Sequence, residues 1–229
     1  MKLGLIADIH ADAPTLARTL DQLDALGAEH ILCAGDLVDY GCCPEQAVSL
    51  VRARGIPCVR GNHDHLVFRR DPAKLKPHHT DPARLSPDNL DYLRALPFDF
   101  LAQYDGLRVA IYRAGPVNDL ALVHPEYWSA EAMESLLKEA GADVLVLGHT
   151  HVPIHIETRA GVLINPGSLL CRHETRLPSS RTFGLLDTET MAYQLFDAES
   201  GLAYALTSWP WKIREWRRLR PGRGAPPRG

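Results

Sequence analysis

Four short motifs in the sequence combine the side chain types that bind divalent metal ions. They are Asp8-Ile9-His10, Gly35-Asp36, Gly61-Asn62-His63-Asp64 and Gly148-His149-Thr150-His151. Carboxylate, imidazole and amide oxygen together suit ions such as Mn²⁺, Fe²⁺ or Zn²⁺. The motifs contain no cysteine, which argues against a structural zinc site. A carboxylate such as that of Asp36 could bridge two ions about 3.5–4 Å apart, the spacing in phosphatases and nucleases with two metal ions.

Each motif directly follows an apolar run that is typical of a buried strand. The four runs are Leu3–Ala7, Ile31–Ala34, Ile56–Val59 and Val144–Leu147. Helical patterns begin after Asp12 and at Pro44, between the first three runs, so we predict a βαβαβ unit with parallel strands. Because the loops at the carboxyl ends of parallel strands meet in one crevice, we expect the motifs to converge.

The later part of the chain predicts further elements. Helices are expected to begin at Ser86-Pro87 and at Ser129, because serine is a favoured N-cap residue. The remaining predicted strands are Arg108–Tyr112, Ile154–Thr158, Val162–Ile164, Thr182–Asp187 and Met191–Phe196. Residues 69–85 are rich in Pro, His, Asp and Lys, and we interpret them as a surface loop or lid. His78 and His79 lie in this loop and either face solvent or meet substrate.

The composition is ordinary for a globular protein, with 45% hydrophobic and 23% charged residues and a net charge of −3. This balance gives no electrostatic case for nucleic acid as a partner. The five cysteines show no paired spacing of a disulfide framework. No apolar run reaches the roughly 18 residues that a membrane helix needs, and no signal peptide is recognised, so we expect a cytoplasmic protein without a membrane partner.

We expect one domain over residues 1–208 and a basic, partly disordered tail over residues 209–229. The stretch from Trp211 to Gly229 holds seven Lys or Arg against one Glu. Such a tail is usually a solvated terminus, and the alternative is attraction to a polyanionic substrate or partner, which keeps nucleic acid open.

Taken together, the motifs resemble the signature of the calcineurin-like metallophosphoesterases. The signature also includes Asp39, in Gly35-Asp36-x-x-Asp39, and the segment Asn165-Pro166-Gly167-Ser168 is similar to that of the small prokaryotic single-domain phosphodiesterases. The resemblance implies an α/β fold: an αββα sandwich of two mixed β-sheets flanked by helices, with the metal ions where the sheets meet. We interpret Asp39 as support for the loop of Gly35, and residues 165–168 as a structural turn.

The resemblance further implies a role for each site residue. The metal ligands that it carries over are Asp8, His10, Asp36, Asn62, His149 and His151. A first ion would be held by Asp8, His10, Asp36 and His151. Asp36 would also contact a second ion and so bridge the two. His63 would assist the leaving oxygen, and Asp64 would orient His63. The implied cofactor is one or two divalent ions, with Mn²⁺ expected first and Fe²⁺, Zn²⁺, Ni²⁺ or Co²⁺ as alternatives.

One position departs from the family pattern, because Arg113 stands where a histidine usually completes the second metal site. A guanidinium group stays protonated and cannot act as a ligand. The second site would then bind metal weakly, or stay empty while Arg113 supplies positive charge for the phosphate. A third option is that His124 substitutes as a ligand. We favour weak or absent binding at the second site.

These observations predict a metal-dependent phosphoesterase, and on family grounds a phosphodiesterase. Hydrolysis would proceed by in-line attack of a hydroxide that the metal activates, with His63, Asp64 and Arg113 as the catalytic residues. The expected substrate is a small phosphate ester such as a nucleotide, and a homo-oligomer is compatible with the sequence. The alternative is a binding or scaffold protein on the same fold, with catalysis weakened by Arg113.

Overall fold

The computed structural model describes residues 1–116, 118, 120–170 and 181–206. The basic tail predicted for residues 209–229 lies outside these ranges. The strands are β1 (Lys2–Ile6), β2 (His30–Cys33), β3 (Asp99–Tyr104), β4 (Leu107–Tyr112), β5 (Val144–Val146), β6 (Ile154–Glu157), β7 (Val162–Asn165), β8 (Thr182–Asp187), β9 (Tyr193–Asp197) and β10 (Ala203–Tyr204). The α-helices are α1 (Ala13–Ala25), α2 (Pro44–Ala53), α3 (Asn62–Leu66), α4 (Pro87–Ala95) and α5 (Ala130–Glu139).

The strands form two mixed sheets, with the orders β10-β9-β8-β1-β2 and β3-β4-β5-β7-β6. In the first sheet β1 is parallel to β2 and antiparallel to β8. In the second, β4, β5 and β7 are parallel, and the edge strands β3 and β6 are antiparallel to their neighbours. The predicted pair of mixed sheets flanked by helices is confirmed.

Alternation along β1 shows how one strand serves two layers of the core. Leu3 and Leu5 belong to the apolar cluster between the two sheets. Ile6 belongs to a second cluster, which also contains Leu16 of α1 and Val48 of α2. Successive side chains of a strand point to opposite faces, so β1 contacts the other sheet on one side and the helices on the other.

The predicted helix starts are confirmed by their caps. Asp12 accepts a hydrogen bond from the backbone N–H of Thr15 at 3.1 Å and begins α1. Ser86 and Ser129 accept equivalent bonds at the starts of α4 and α5. Within the described ranges, no helix is both long enough and apolar enough to cross a bilayer.

The third predicted strand of the βαβαβ unit is wrong. Residues 56–59 make only an isolated bridge, between Cys58 and Cys33, and form no ladder. The physical reason is Pro57, which has no N–H to donate to a neighbouring strand. Strand β3, an edge strand that precedes the turn at Asp105-Gly106, was not predicted. Both turn residues have positive φ, and Asp-Gly between two apolar runs is a hairpin signal.

Gly35 provides a test of how tightly the site loops are packed. Its φ is +85°, and a Cβ there would lie 2.7 Å from the carbonyl oxygen of Val59 and 2.8 Å from the amide nitrogen of Gly61. Gly35→Ala should therefore lower the free energy of unfolding by the cost of left-handed backbone, about 1–2 kcal/mol, plus about 1–3 kcal/mol of overpacking.

Urea denaturation measures this loss, with Gly55→Ala as the matched control. Gly55 has a φ of +59°, but a Cβ there meets no atom within 4 Å. The control should show the backbone cost alone, and an equal loss in both variants would contradict the predicted clash.

Candidate metal centre

The loops that follow the strands bring the four motifs together, as predicted. Asp8 follows β1, Asp36 lies beyond β2, His63 lies in the first turn of α3, and His151 lies beyond β5. The backbone N–H of Asp8 donates to the carbonyl of Gly35 at 3.0 Å, which ties the first two loops together. The site is therefore built at one edge of the sandwich from both sheets.

Asp8, His10 and His151 present atoms that suit one divalent cation. Their potential ligand atoms all lie within 4.8 Å of one another. The Nε2 atoms of His10 and His151 are 3.2 Å apart, and Nε2 of His151 is 3.0 Å from Oδ1 of Asp8. Nδ1 of His10 lies 3.1 Å from the carbonyl oxygen of Val38. Because a carbonyl can only accept, Nδ1 carries the proton and Nε2 keeps a lone pair for a metal ion.

Asp36 extends this donor set towards His63. Its Oδ2 atom lies 3.7 Å from Nε2 of His10, and its Oδ1 atom accepts a hydrogen bond from the backbone N–H of His63 at 2.9 Å. The side chains of Asp8, His10 and Asp36 are fully buried. Two carboxylates and two imidazoles meet here in a buried position. This donor set suits a divalent ion of borderline hardness.

Burial and charge keep these groups in their metal-binding protonation states. Burial alone would raise the pKa of Asp8, but the charges of Arg113 and His151 hold that pKa well below its usual range. Burial lowers the pKa of His10, which favours the neutral ring. An ionised carboxylate and a neutral imidazole are the forms that coordinate metal.

The guanidinium of Arg113 lies at the centre of the predicted second ligand set. Its Nη2 atom is 2.7 Å from Oδ1 of Asp8, donates to Oδ2 of Asp36, and lies 3.2 Å from Nδ1 of His149. Its Nε atom donates to Oδ1 of Asn62 at 3.2 Å. Burial acts to lower the pKa of Arg113, but the carboxylates of Asp36 and Asp8 outweigh it and raise the pKa.

Arg113 is only 2% exposed, and its guanidinium contacts the carboxylates of Asp8 and Asp36. This geometry favours a role in holding the carboxylates over the expected direct contact with the phosphate. His124 lies near Glu126 and Tyr127. It belongs to neither group of three potential ligands found within the described ranges, so the structure does not support it as a substitute ligand.

The residue that orients the His63 ring is Asp39, and not Asp64 as predicted. Nδ1 of His63 lies 2.6 Å from Oδ2 of Asp39. Asp39 also accepts hydrogen bonds from the guanidinium of Arg70 at 2.9 Å and from the backbone N–H of Thr80 at 2.7 Å. These bonds outweigh the effect of burial and hold the pKa of Asp39 well below its usual range. The contact joins residues 69–85, which the sequence pattern indicated to be a surface loop or lid, to the site.

Asp64 instead holds the metal loops in place. Its carboxylate accepts three backbone hydrogen bonds, from Asp36 at 3.0 Å, Leu37 at 2.8 Å and Gly61 at 2.8 Å. Burial and the neighbouring charge of Asp36 raise the pKa of Asp64 to about 7, against the effect of these bonds. Asp64 is thus a supporting residue of the Asp36 loop.

Asn165 and Ser168 support the site through backbone oxygens, as the interpretation of a structural turn predicted. The Asn165 amide donates to the carbonyl of Gly148 at 2.7 Å. The Ser168 hydroxyl donates to the carbonyl of Asp8 at 2.9 Å.

An aromatic stack lies at the rim of the site. The rings of Tyr40 and His78 are parallel within 7°, with centroids 5.1 Å apart. The Tyr40 ring also meets His10 at 4.9 Å and His63 at 5.0 Å, both edge to face. His78 is exposed, so the stack reaches from the buried ligand His10 to solvent.

The proposed ligands adopt unusual backbone conformations. Positive φ occurs at Asp8 (53°), His10 (49°), Asp36 (57°), His149 (70°) and His151 (59°). L-residues pay about 1–2 kcal/mol each for left-handed backbone, and aspartate and histidine adopt it more readily than most others. Such strain commonly collects where side chains must converge on one point.

Asp64→Ala should weaken metal binding although Asp64 is not a ligand. The substitution leaves three backbone N–H groups without their acceptor and releases the Asp36 loop. We expect metal affinity to fall by about 10- to 100-fold, as for other supporting residues of metal sites. Titration calorimetry with Mn²⁺ measures it, with the exposed Asp91→Ala of α4 as the control. Unchanged affinity in Asp64→Ala would contradict the supporting role.

Comparisons with known proteins agree with this geometry. The calcineurin-like phosphoesterase superfamily domain matches residues 1–191. A probable metallophosphoesterase of Methanothermobacter thermautotrophicus is 29% identical, over 73% of this chain and 77% of its own length. A phosphodiesterase of Methanocaldococcus jannaschii is 26% identical, over 85% and 97%. The crystal structure of a metallophosphoesterase from Sphaerobacter thermophilus superimposes with a TM-score of 0.68 at 22% identity, over 87% and 88% of the two chains.

The family match covers most of the chain, and its motifs are the ones that the fold brings together around Asp8 and Asp36. The chain therefore belongs to the calcineurin-like phosphoesterase superfamily and is a metal-dependent phosphoester hydrolase.

Proposed function

We propose that this hydrolase cleaves small phosphodiesters with a divalent ion held by Asp8, His10, Asp36 and His151. The observation that carries the proposal is the buried donor set in which the two imidazole Nε2 atoms lie 3.2 Å apart beside a carboxylate. A divalent ion at this position would supply Lewis-acid activation of water and of a phosphoryl oxygen. The mixture of carboxylate and imidazole suits Mn²⁺, which we propose as the metal.

In this proposal His63 handles the proton of the leaving oxygen. Its ring centroid lies 5.0 Å from that of His10, next to the metal ligands. Asp39 accepts from Nδ1 and fixes the ring, so that Nε2 is the nitrogen able to exchange a proton with substrate. The side chain of His63 is 17% exposed, whereas its partner Asp39 is fully buried. The catalytic nitrogen therefore lies at the border between the metal centre and solvent.

Two observations support a diester that carries a nucleoside. The relative from Methanocaldococcus jannaschii that matches most of this chain is named a phosphodiesterase. The exposed ring of His78 stacks on Tyr40, and the Tyr40 ring contacts that of His63, so an aromatic contact is available near the proposed catalytic residue. Stacking of a nucleobase on an aromatic side chain contributes about 1–3 kcal/mol and needs no particular base. A nucleotide diester could thus place its phosphate at the metal and its base on His78.

Substitution of the two site histidines should separate metal binding from chemistry. His151→Ala removes a ligand and should abolish both the bound metal and hydrolysis. His63→Ala should retain the metal but lower kcat by about 10²- to 10⁴-fold, the usual contribution of a general acid. Metal analysis and Mn²⁺-dependent hydrolysis of a chromogenic phosphodiester measure the two effects.

His30→Ala is the control, because His30 begins β2 at the end of the strand opposite the site. Hydrolysis that survives in His151→Ala would contradict the proposed metal ligands. Wild-type protein that binds metal but hydrolyses no phosphodiester or monoester would favour the alternative of a binding or scaffold protein.

The stack predicts a specific loss in substrate recognition. His78→Ala should raise KM for thymidine 5′-(4-nitrophenyl) phosphate by about 5- to 100-fold through lost base stacking. KM for ethyl 4-nitrophenyl phosphate, which has the same leaving group and no base, should stay unchanged. Tyr127→Ala is the control, as an exposed aromatic residue outside the stack. Equal changes for both substrates would rule out the nucleobase contact.

A further inference from the structure

We propose that the guanidinium of Arg113 is a permanent replacement for the second metal ion, so that the enzyme works with one divalent ion. The inference deepens the proposed function. Its consequence for substrate choice rests on that function. The part concerning metal binding stands on the geometry of Arg113 alone. It concerns a position where members of the family are expected to have a second ion, and the residues present here do not fit one.

The guanidinium makes the contacts that a second metal ion would make. Nη2 of Arg113 contacts one oxygen of Asp36 and lies 3.2 Å from Nδ1 of His149. Nε donates a hydrogen bond to the amide oxygen of Asn62 at 3.2 Å. These three side chains are the ones that the family resemblance implies for a second ion. An ion bound by them would have to displace Arg113 from every one of its polar contacts in this set.

The surrounding backbone leaves room for the guanidinium. A Cβ at Gly148 would lie 2.6 Å from Nη1 of Arg113 and 2.9 Å from Oδ2 of Asp8. Gly148 therefore makes room for the ion pair between these two residues. The backbone N–H of Gly148 also donates to the carbonyl of Arg113 at 2.9 Å, which fixes the start of the side chain. Glycine at this position thus fits an arginine held against Asp8.

Electrostatics opposes a second ion beside the guanidinium. Arg113 is 2% exposed and contacts the carboxylates of Asp8 and Asp36, and a guanidinium stays protonated in proteins, so the charge is permanent. A buried positive charge in contact with Asp36 and His149 repels a divalent ion at the same ligands, because little solvent screens the interaction. Arg113 is a positioning residue in this arrangement: it fixes the carboxylates and balances their charge without touching substrate.

The replacement has a consequence for substrate class. The two carboxylates Asp8 and Asp36, one guanidinium and one divalent ion leave a single net positive charge, one less than with two ions. A phosphodiester carries one negative charge, whereas a phosphomonoester carries close to two above its second pKa of about 6. Compared with a site of two ions, the lower positive charge therefore reduces the advantage of a doubly charged monoester over a diester.

Metal stoichiometry of the full-length protein tests the inference. The metal-free wild type is titrated with Mn²⁺ by calorimetry and followed by electron paramagnetic resonance. We expect one ion per chain and the spectrum of an isolated Mn²⁺. Arg113→His should bind a second ion and show spin coupling between the two. Its ratio of kcat/KM for monoester over diester should rise by about tenfold or more, as one added charge acts on the substrate.

Arg108→His is the matched control, because Arg108 lies on β4, the strand that Arg113 directly follows, but forms an exposed ion pair with Asp143. It should keep one ion and the wild-type substrate ratio. Two ions in the wild type, or a spin-coupled pair, would overturn the inference even if Arg113→His fails to fold. One isolated ion without any hydrolysis would refute the proposed function and leave the replacement of the second ion standing.

Discussion

The structure depends on the burial of two adjacent carboxylates, Asp8 and Asp36, at the edge where the sheets meet. Buried charges are costly unless they are paired, so positive partners must be built around them. One positive partner is Arg113, which follows β4 and is permanently charged. In the proposed function, the other is a divalent ion beside His10 and His151. The same requirement explains why Asp64 accepts hydrogen bonds from three backbone N–H groups. These bonds keep the Asp36 loop, and with it the Asp36 carboxylate, in place beside the charge of Asp8.

The sequence predicted what depends on local pattern and strand order. Ser86 and Ser129 cap helices because a hydroxyl satisfies N–H groups within three residues, and the metal motifs converge because parallel strands end together. It did not predict contacts between loops. The bond from His63 to Asp39 joins side chains 24 positions apart, and nothing in their spacing favours Asp39 over the adjacent Asp64. The sequence shows an arginine at position 113 but does not predict that its side chain is buried. That burial depends on packing against Gly148 in the folded chain.

The contact network of Asp39 makes the segment of residues 69–85 part of the site. Arg70 and Thr80 contact the carboxylate that orients His63, and the carbonyl of His78 accepts from the N–H of Tyr40 at 2.7 Å. The segment that carries the exposed ring of His78 is thereby the one that fixes the ring of His63. In the proposed function, substrate recognition and proton transfer therefore depend on the same few hydrogen bonds to Asp39.

The left-handed backbone at the proposed ligands links the stability of the chain to its site. Glycine would adopt the positive φ of Asp8, His10 or His151 at lower cost than the residues present. Glycine at one of these positions would therefore relieve backbone strain and remove a proposed ligand in the same step. Folding stability and metal binding thus make opposite demands on the same residues.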